Sequence, residues 1–172
     1  MIIDKTNLWD LVTARSELSP EAEMLVDEQG RRLTFLEYHK QAEEMAAGLQ
    51  NLGVQEGDVV AWELPTWIET VILAAALSRL GAIQNPIIAI YREREVSFCV
   101  RQAEAKVLIT PGDFRGFNFG EMGQKIQNDI PELTHVAVEP NNFPTGSRAD
   151  LRPYTTPETD ELRWLCYTSG TT

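Results

Sequence analysis

The chain has 172 residues, of which 26 are acidic and 15 basic, so its formal net charge at pH 7 is −11. Hydrophobic residues make up 43% and charged residues 24%, proportions typical of one folded globular domain and not of a disordered tail or a fibrous repeat. The acidic balance argues against nucleic acid or an anionic membrane surface as the main partner, because both repel an acidic surface.

The start of the chain and its most apolar region bear on location. Charged side chains at Asp4, Lys5 and Asp10 interrupt the stretch where a signal peptide needs an unbroken apolar run. The most apolar region, residues 71–90, is broken by an arginine, a glycine and a proline, so it cannot supply the roughly 20 apolar residues of a membrane span. We therefore predict no integral membrane segment and a cytoplasmic location.

The first predicted elements are a helix and a small hairpin. Thr6 is expected to cap a helix that runs through Arg15, because the leucines and valine between them follow helical spacing. Residues 24–26 and 32–33 flank a polar segment that contains a glycine. This pattern is typical of a short β-hairpin.

A longer helix follows the hairpin. Thr34 and Glu37 match the capping box, in which each side chain binds the backbone of the other residue, so the helix is predicted to begin there. Its apolar residues recur every three to four positions as one buried stripe, and Gly53 stands where a left-handed residue ends a helix. His39 borders the stripe and is given a packing or surface role, because no nucleophile or carboxylate cluster accompanies it.

A strand and a second capping box come next. Residues 59–64 form a mostly apolar run that ends at Pro65, and Thr66 with Glu69 repeats the capping-box pattern. A tight turn is therefore predicted between a strand and a helix from Trp67 to Leu80. That helix is apolar nearly all round, which indicates an element covered on several sides.

Several single residues are assigned to packing or to the surface. We expect tryptophans 62, 67 and 164 to lie in the core. Cys99 and Cys166 are both flanked by apolar residues and are predicted to be buried thiols. Glu63 is predicted to be a surface charge at the end of a strand.

The next predicted strand, which follows the helix that ends at Leu80, contains a proline. Residues 82–90 are predicted to form a strand followed by an extended segment, with no central strand through Pro86, because proline cannot donate to a ladder. From Arg92 onward, apolar residues at 96, 99, 100 and 103 predict an amphipathic helix. The alternating charges of residues 92–95 are typical of a solvated helix face.

The remaining regular elements complete an alternating pattern. Residues 106–110 and 135–138 are predicted strands, with a helix that uses Met122 and Ile126 between them. Phenylalanines 114, 117 and 119 in the intervening loop are more typical of core packing than of a ligand pocket. Because strands and helices alternate and the strands are continuous apolar runs, the fold class is α/β, a doubly wound, mostly parallel sheet with helices on both faces and a small N-terminal hairpin.

The chain divides into three parts by composition. Residues 1–138 form the α/β subdomain, residues 139–161 are a proline-rich surface connection, and residues 162–172 are a strand followed by a loop. The loop reads Thr-Ser-Gly-Thr-Thr, whose backbone amides and four hydroxyls can donate to phosphate oxygens. The Walker pattern is absent, and a loop of this kind is by itself more typical of a polar turn or a frayed terminus.

The wider sequence gives that loop a context. Residues 165–172 resemble the front half of the phosphate-loop motif of the adenylate-forming (AMP-binding) superfamily, which contains acyl-CoA synthetases, luciferases and peptide-synthetase adenylation domains. Three further segments resemble earlier landmarks of the family in the proper order: Leu-Thr-Phe-Leu-Glu-Tyr at 33–38, the strand and turn at 57–65, and Leu-Ser-Arg-Leu-Gly-Ala at 77–82 with Pro86. Residues 85–95 look most like bacterial ligases for fatty, alicyclic or aromatic acids, cyclohexanecarboxylate–CoA ligase among them.

The resemblance implies a function and a set of ligands. Such enzymes convert a carboxylic acid and ATP into an acyl-adenylate with release of pyrophosphate, assisted by Mg²⁺, and acyl-CoA synthetases then transfer the acyl group to coenzyme A. The matching residues expected to bind the ATP phosphates are Thr168, Ser169, Gly170, Thr171 and Thr172. No catalytic residue and no metal ligand are assigned within the chain.

The chain departs from the family pattern at its end. The glycine, proline and lysine that continue the motif in relatives do not follow Thr172, so we expect an incomplete N-terminal AMP-binding domain that is inactive alone. Two alternatives stay open: an adenylation domain that loads a carrier protein, and a noncatalytic α/β binding or interaction domain. The identity of the acid and the oligomeric state are not predicted.

Overall fold

The computed structural model describes residue 5, residues 7–156 and residues 160–168. Within them lie five helices: α1 Leu8–Leu18, α2 Phe35–Asn51, α3 Ile68–Leu80, α4 Glu93–Gln102 and α5 Phe119–Asp129. The strands are β1 Glu23–Val26, β2 Arg32–Thr34, β3 Val59–Trp62, β4 Ile83–Pro86, β5 Val107–Pro111, β6 Asp113–Phe114, β7 Phe117–Asn118 and β8 Thr134–Val138. None of the helices in these residues is both long and apolar enough to cross a membrane.

The central sheet has four parallel strands in the order β4-β3-β5-β8. Of these four strands β3 comes first along the chain. Strand β4 then adds on one side of it and β5 on the other, so the chain reverses its direction of winding at β3. As a result α2 and α3 pack on one face and α4 and α5 on the other, each with its own apolar core. The predicted doubly wound α/β class is confirmed.

The first helix begins one residue later than predicted. Asn7 is its N-cap, with the side-chain oxygen accepting from the backbone N–H of Asp10 at 2.9 Å. Thr6, the predicted cap, lies outside the described residues. The helix also continues past Arg15 to Leu18, because Ser16 turns its hydroxyl back to the Thr13 carbonyl and remains helical.

The hairpin and the capping box of α2 are confirmed. Strands β1 and β2 pair antiparallel, and Gly30 in their turn has φ +79°. The Thr34 hydroxyl accepts from the Glu37 N–H at 3.2 Å, while the Glu37 carboxylate accepts from the Thr34 N–H at 2.8 Å. Gly53 has the left-handed φ of +89° expected just beyond the helix end.

The second predicted capping box does not form. Helix α3 begins at Ile68 with Trp67 as its N-cap, and neither Trp67 nor Thr66 caps it with a side chain. Glu69 is engaged elsewhere, since its carboxylate accepts from the Arg31 guanidinium at 2.6 Å. Thr70 supplies the local bond instead, donating its hydroxyl to the Pro65 carbonyl at 2.7 Å.

Strand β4 ends at Pro86 and lies at the edge of the sheet, which confirms the prediction that no central strand runs through this proline. Its N–H groups alternate in direction: Gln84 donates outward to the Arg163 carbonyl, whereas Ile87 donates inward to the Trp62 carbonyl of β3. The N–H that Pro86 lacks would point outward, where only a single bridge to Trp164 follows. The segment after the strand, predicted to be extended, turns at residues 89–90, where the Tyr91 N–H donates to the Ile88 carbonyl at 3.0 Å, and it exposes the side chains of Ile88 and Ile90.

The described residues of the proline-rich connection are mostly exposed, but the connection is firmly attached. Phe143 is buried against the α2–α3 core, and the Gly146 N–H donates to the Glu44 carbonyl at 2.8 Å. A 3-10 helix spans Arg148–Asp150. Between these points the chain passes so close to α2 that only glycine fits at position 48.

Three packing assignments need correction or refinement. Cys99 is buried, but Cys166 is exposed, and Trp164 is 44% exposed and not in the core. Both residues lie in the segment after residue 160, which joins the sheet edge by a single bridge and is mostly exposed in the described structure. Of the three phenylalanines only Phe119 is buried. The other two belong to the short hairpin β6–β7, where Phe117 packs edge-on and Phe114 packs tilted against the Phe119 ring.

Candidate functional site

The segment that leads to the predicted phosphate loop runs along the outer edge of β4. The Gln84 N–H donates to the Arg163 carbonyl at 2.9 Å, and the Leu165 N–H donates to the Gln84 carbonyl at 2.8 Å. Asn85 adds a side-chain bond to the Leu165 carbonyl at 2.8 Å. Because the bridge between Gln84 and Trp164 is parallel, the segment leaves the sheet at the carboxyl ends of the strands.

Tyr167 fastens the end of this segment to α4. Its hydroxyl donates to the Cys99 carbonyl at 3.2 Å, and its ring meets Phe98 edge-on with centroids 6.0 Å apart. Burial raises the pKa of the Tyr167 hydroxyl, so the group stays a hydrogen-bond donor at neutral pH. The chain is thereby directed over the α4 face of the sheet.

Thr168 follows at the wall of a cleft. The cleft has a volume of about 580 Å³ and is lined by Tyr91, Arg94, Glu95, Phe98, Cys99, Tyr167 and Thr168. Thr168 is exposed, so its hydroxyl is available to a ligand. The other four predicted phosphate-binding residues, Ser169, Gly170, Thr171 and Thr172, lie outside the described residues.

A buried carboxyl interacts electrostatically with Cys99, one of the residues that line this cleft. Glu63 follows the end of β3 and has no solvent exposure, which corrects its assignment as a surface charge. Neither carboxyl oxygen has a hydrogen-bond partner in the part of the chain that the structure describes. Burial therefore raises the pKa of Glu63 to about 8, opposed by the positive charge of Arg92. Glu63 in turn helps to raise the pKa of the Cys99 thiol, for which burial is the larger cause.

Glu63 stands at a position where α/β proteins commonly bind ligands. Strands β3 and β5 are the neighbours between which the winding reverses, and ligands tend to lie beyond the carboxyl ends of such strands. The Glu63 N–H donates to the Ile109 carbonyl of β5 at 2.9 Å, which fixes the residue between them. The sequence signal for this position was a charged residue, Glu63, at the end of an apolar strand.

Two further residues of the site carried a weaker signal. Gln84 and Asn85 are fully buried polar residues in β4, and each binds the segment after residue 160. The Gln84 side chain donates to the Ala74 carbonyl of α3 at 3.0 Å, so only the Asn85 amide binds the later segment with its side chain. Among the residues that the structure describes, no group of three His, Cys, Asp or Glu side chains could hold a metal ion.

Comparisons with known proteins agree with this arrangement. The model of a family described as "AMP-binding enzyme" matches residues 12–172. The chain is 28% identical over 169 residues to the medium-chain fatty-acid–CoA ligase of Escherichia coli, covering 92% of this chain and 30% of that protein. It is 33% identical over 147 residues to the 2-hydroxy-7-methoxy-5-methyl-1-naphthoate–CoA ligase of Streptomyces carzinostaticus, covering 86% and 24%.

Solved structures have the same fold. A fatty acyl CoA synthetase of Mycobacterium tuberculosis superposes with a TM-score of 0.76 at 22% identity, covering 95% of this chain and 33% of that one. The N-terminal subdomain of NpsA from Klebsiella oxytoca superposes with a TM-score of 0.74 at 22% identity, covering 99% and 40%. The chain thus spans between a quarter and two fifths of the length of these four relatives.

Proposed function

Because the chain belongs to the AMP-binding enzyme family, we propose that it is part of a ligase that activates a carboxylic acid with ATP. The first step forms an acyl-adenylate and releases pyrophosphate. The second transfers the acyl group to coenzyme A. The observation that carries this proposal is the family match across residues 12–172, which includes the hydroxyl-rich loop after Tyr167.

Formation of the acyl-adenylate requires no general base from the protein. A carboxylate is itself the nucleophile toward the α-phosphorus, and pyrophosphate is the leaving group. The protein must hold the two reactants in line and stabilise negative charge on the phosphate oxygens. Backbone amides and hydroxyls of a small-residue loop suit that task, which is the role we propose for Thr168, Ser169, Gly170, Thr171 and Thr172.

The described end of the loop fits a phosphate ligand. Thr168 is exposed at a cleft of about 580 Å³, whose lining includes one cationic and one acidic side chain, Arg94 and Glu95. The residues before the loop are hydrogen-bonded to β4, and the Tyr167 hydroxyl binds α4. The start of the loop is therefore held in place from two sides. Mg²⁺ bound to the ATP phosphates would supply further charge neutralisation, but no three-ligand cluster occurs in the described residues, so we assign it no ligand here.

Coenzyme A is the acceptor that we propose, with a fatty or aromatic acid as substrate. The two relatives in Escherichia coli and Streptomyces carzinostaticus are named as CoA ligases of such acids. A 2,3-dihydroxybenzoate-AMP ligase of Bacillus subtilis, 30% identical over 143 residues, is named without coenzyme A, so loading of a carrier protein stays the alternative second step. We further propose a cytoplasmic location and that the 172 residues alone have no ligase activity.

ATP–pyrophosphate exchange tests the first step. The full-length protein that contains this chain is incubated with ATP, Mg²⁺, labelled pyrophosphate and one acid at a time, from aliphatic, alicyclic and aromatic classes. Label is expected to enter ATP with at least one acid and without coenzyme A. Absence of exchange across the whole panel, with folded protein, would overturn the proposal. Formation of the thioester on adding coenzyme A then separates a CoA ligase from a carrier-loading enzyme.

A further inference from the structure

The Asn85 side chain binds the later part of the chain where a backbone donor would be expected. Asn85 has no solvent exposure, and its amide nitrogen lies 2.8 Å from the Leu165 carbonyl oxygen. Among the described residues no backbone N–H donates to that carbonyl. Leu165 is thus attached to β4 in two ways, through its N–H to a backbone carbonyl and through its own carbonyl to a side chain.

The register of the two segments explains why a side chain is needed. The Gln84 N–H donates to the Arg163 carbonyl, and the Gln84 carbonyl accepts from the Leu165 N–H, which is the bonding pattern of a parallel ladder. In such a ladder the next outward donor of β4 lies two residues further, at position 86, and would bind the Leu165 carbonyl. Position 86 is a proline, which has no N–H. The Asn85 amide therefore takes the place of the missing backbone donor.

Asn85 lies on the face of the sheet toward which the later segment turns. It pairs in register with Ala61, which belongs to the apolar core under α4 and α5, and neighbouring residues in register share a face. The Tyr167 hydroxyl reaches the Cys99 carbonyl of α4 on the same face. The neighbouring Gln84 side chain instead donates to α3 on the opposite face.

A side-chain donor also allows the segment to leave the sheet. In the described part of the chain, the bridge between Gln84 and Trp164 is the single bridge of this segment to β4. Because the Leu165 carbonyl binds a side chain and not the backbone at position 86, the ladder does not continue. Tyr167 turns to α4, and Thr168 lies at the wall of the cleft.

We propose that Asn85 is a positioning residue for the phosphate loop. Its amide replaces the N–H that Pro86 lacks, so the base of the loop is held at β4 while the chain turns off the sheet toward the cleft. This inference rests on the proposed function, in which the loop from Thr168 onward binds the ATP phosphates. Asn85 acts on ATP only through Leu165 and the residues that follow it.

ATP–pyrophosphate exchange by the full-length protein tests this role. Asn85→Ala is expected to raise the KM for ATP about tenfold, the effect of one lost buried hydrogen bond. The KM for the acid should stay unchanged, because the loop is assigned to phosphate. Adding Pro86→Ala to this variant returns a backbone N–H to position 86 and should recover most of the loss.

Tyr38→Phe is the matched control. It also removes one buried side-chain donor to a backbone carbonyl, that of Val71 at 3.0 Å, within the α2–α3 core on the other face of the sheet. Its KM for ATP should equal that of the wild type. An equal rise in Tyr38→Phe would show that Asn85→Ala acts through general destabilisation.

Amide hydrogen exchange of the same proteins, measured by mass spectrometry, follows the segment without any reaction. Peptides that contain residue 165 should exchange about tenfold faster in Asn85→Ala than in Tyr38→Phe. An inactive wild type would overturn the proposed function, and this measurement would still decide whether Asn85 holds the segment.

Four results would overturn the role of Asn85. They are unchanged exchange at residue 165, an unchanged KM for ATP in Asn85→Ala, an equal rise in Tyr38→Phe, and no recovery in the double variant. If Asn85→Ala does not fold, as judged by circular dichroism, Asn85→Leu replaces it with the same expectation, because leucine fills a similar volume and has no donor.

Discussion

The Tyr167 hydroxyl donates a hydrogen bond to the backbone carbonyl of Cys99 at 3.2 Å, and so connects the last described residues to α4. On the β4 side the same segment is held by backbone bonds to Gln84 and by the Asn85 amide. Two unrelated elements therefore set the direction in which the chain continues toward the predicted phosphate loop.

Removing that hydroxyl should loosen the segment without unfolding the domain. Tyr167→Phe keeps the ring contact with Phe98 but loses the bond to Cys99, at a cost of about 1 kcal/mol. We expect faster limited proteolysis after residue 160 and a small fall in the free energy of unfolding in urea. Tyr91→Phe is the matched control, because Tyr91 lines the same cleft and its hydroxyl has no bond in the described residues. Equal proteolysis of both variants would contradict this role for Tyr167.

The buried carboxyl of Glu63 should make stability depend on pH. The pKa of Glu63 is about 8 in the folded chain against an ordinary value of 4.5, so the folded state keeps a proton that the unfolded state releases. This group's effect on the free energy of unfolding is therefore most favourable below pH 4.5 and is lost progressively as the pH rises to about 8. The slope is about 1.4 kcal/mol per pH unit between those values.

Glu63→Gln removes this slope, because glutamine has a similar shape and no charge. Urea unfolding at pH 5, 6.5 and 8 is expected to show the variant gaining stability over the wild type as the pH rises, by several kcal/mol at the highest value. Glu132→Gln, at an exposed position, is the control and should show a nearly constant difference. A constant difference for Glu63→Gln as well would mean that the carboxyl is already ionised in the folded chain at pH 5.

The sequence predicted the layers of the fold more securely than the contacts of single residues. Apolar runs and helical spacing identified the central strands and the five helices, since those patterns reflect burial directly. Glu63, Trp164 and Cys166 were assigned wrongly, because their burial depends on which distant segment covers them. The fit of a proline at position 86 likewise depends on the register of β4 with β3, which places the missing N–H on the outer side of the strand. No local sequence pattern shows that register.

The same capping-box pattern forms a cap at the start of α2 but not at the start of α3. Thr34→Ala should lower the free energy of unfolding by about 1 kcal/mol, because the hydroxyl that caps α2 is lost. Thr66→Ala should change it by less than about 0.5 kcal/mol, because Thr66 is exposed and makes no cap. Urea unfolding of both variants measures the two values. A loss at Thr66 as large as that at Thr34 would show that α3 is capped in solution as the sequence predicted.

The contact between α2 and the proline-rich connection gives a sharper test of the fold. A Cβ at Gly48 would lie 2.3 Å from the backbone carbonyl carbon of Pro144 and 2.4 Å from the Thr145 nitrogen. Backbone atoms cannot rotate away as a side chain can, so the connection must move off the helix. Gly48→Ala is therefore expected to destabilise by about 1–3 kcal/mol, although alanine is the better helix former by about 1 kcal/mol.

Gly120→Ala is the matched control for that substitution, in the first turn of α5. A Cβ there meets its nearest atom at 3.4 Å, an ordinary contact distance, so the helix propensity of alanine should make the variant neutral or slightly more stable. Opposite signs for the two variants in urea unfolding would locate the close approach between α2 and residue 144. A stable Gly48→Ala variant would mean that the connection does not lie against α2, and that the packing of residues 143–152 on the α2–α3 face is wrong.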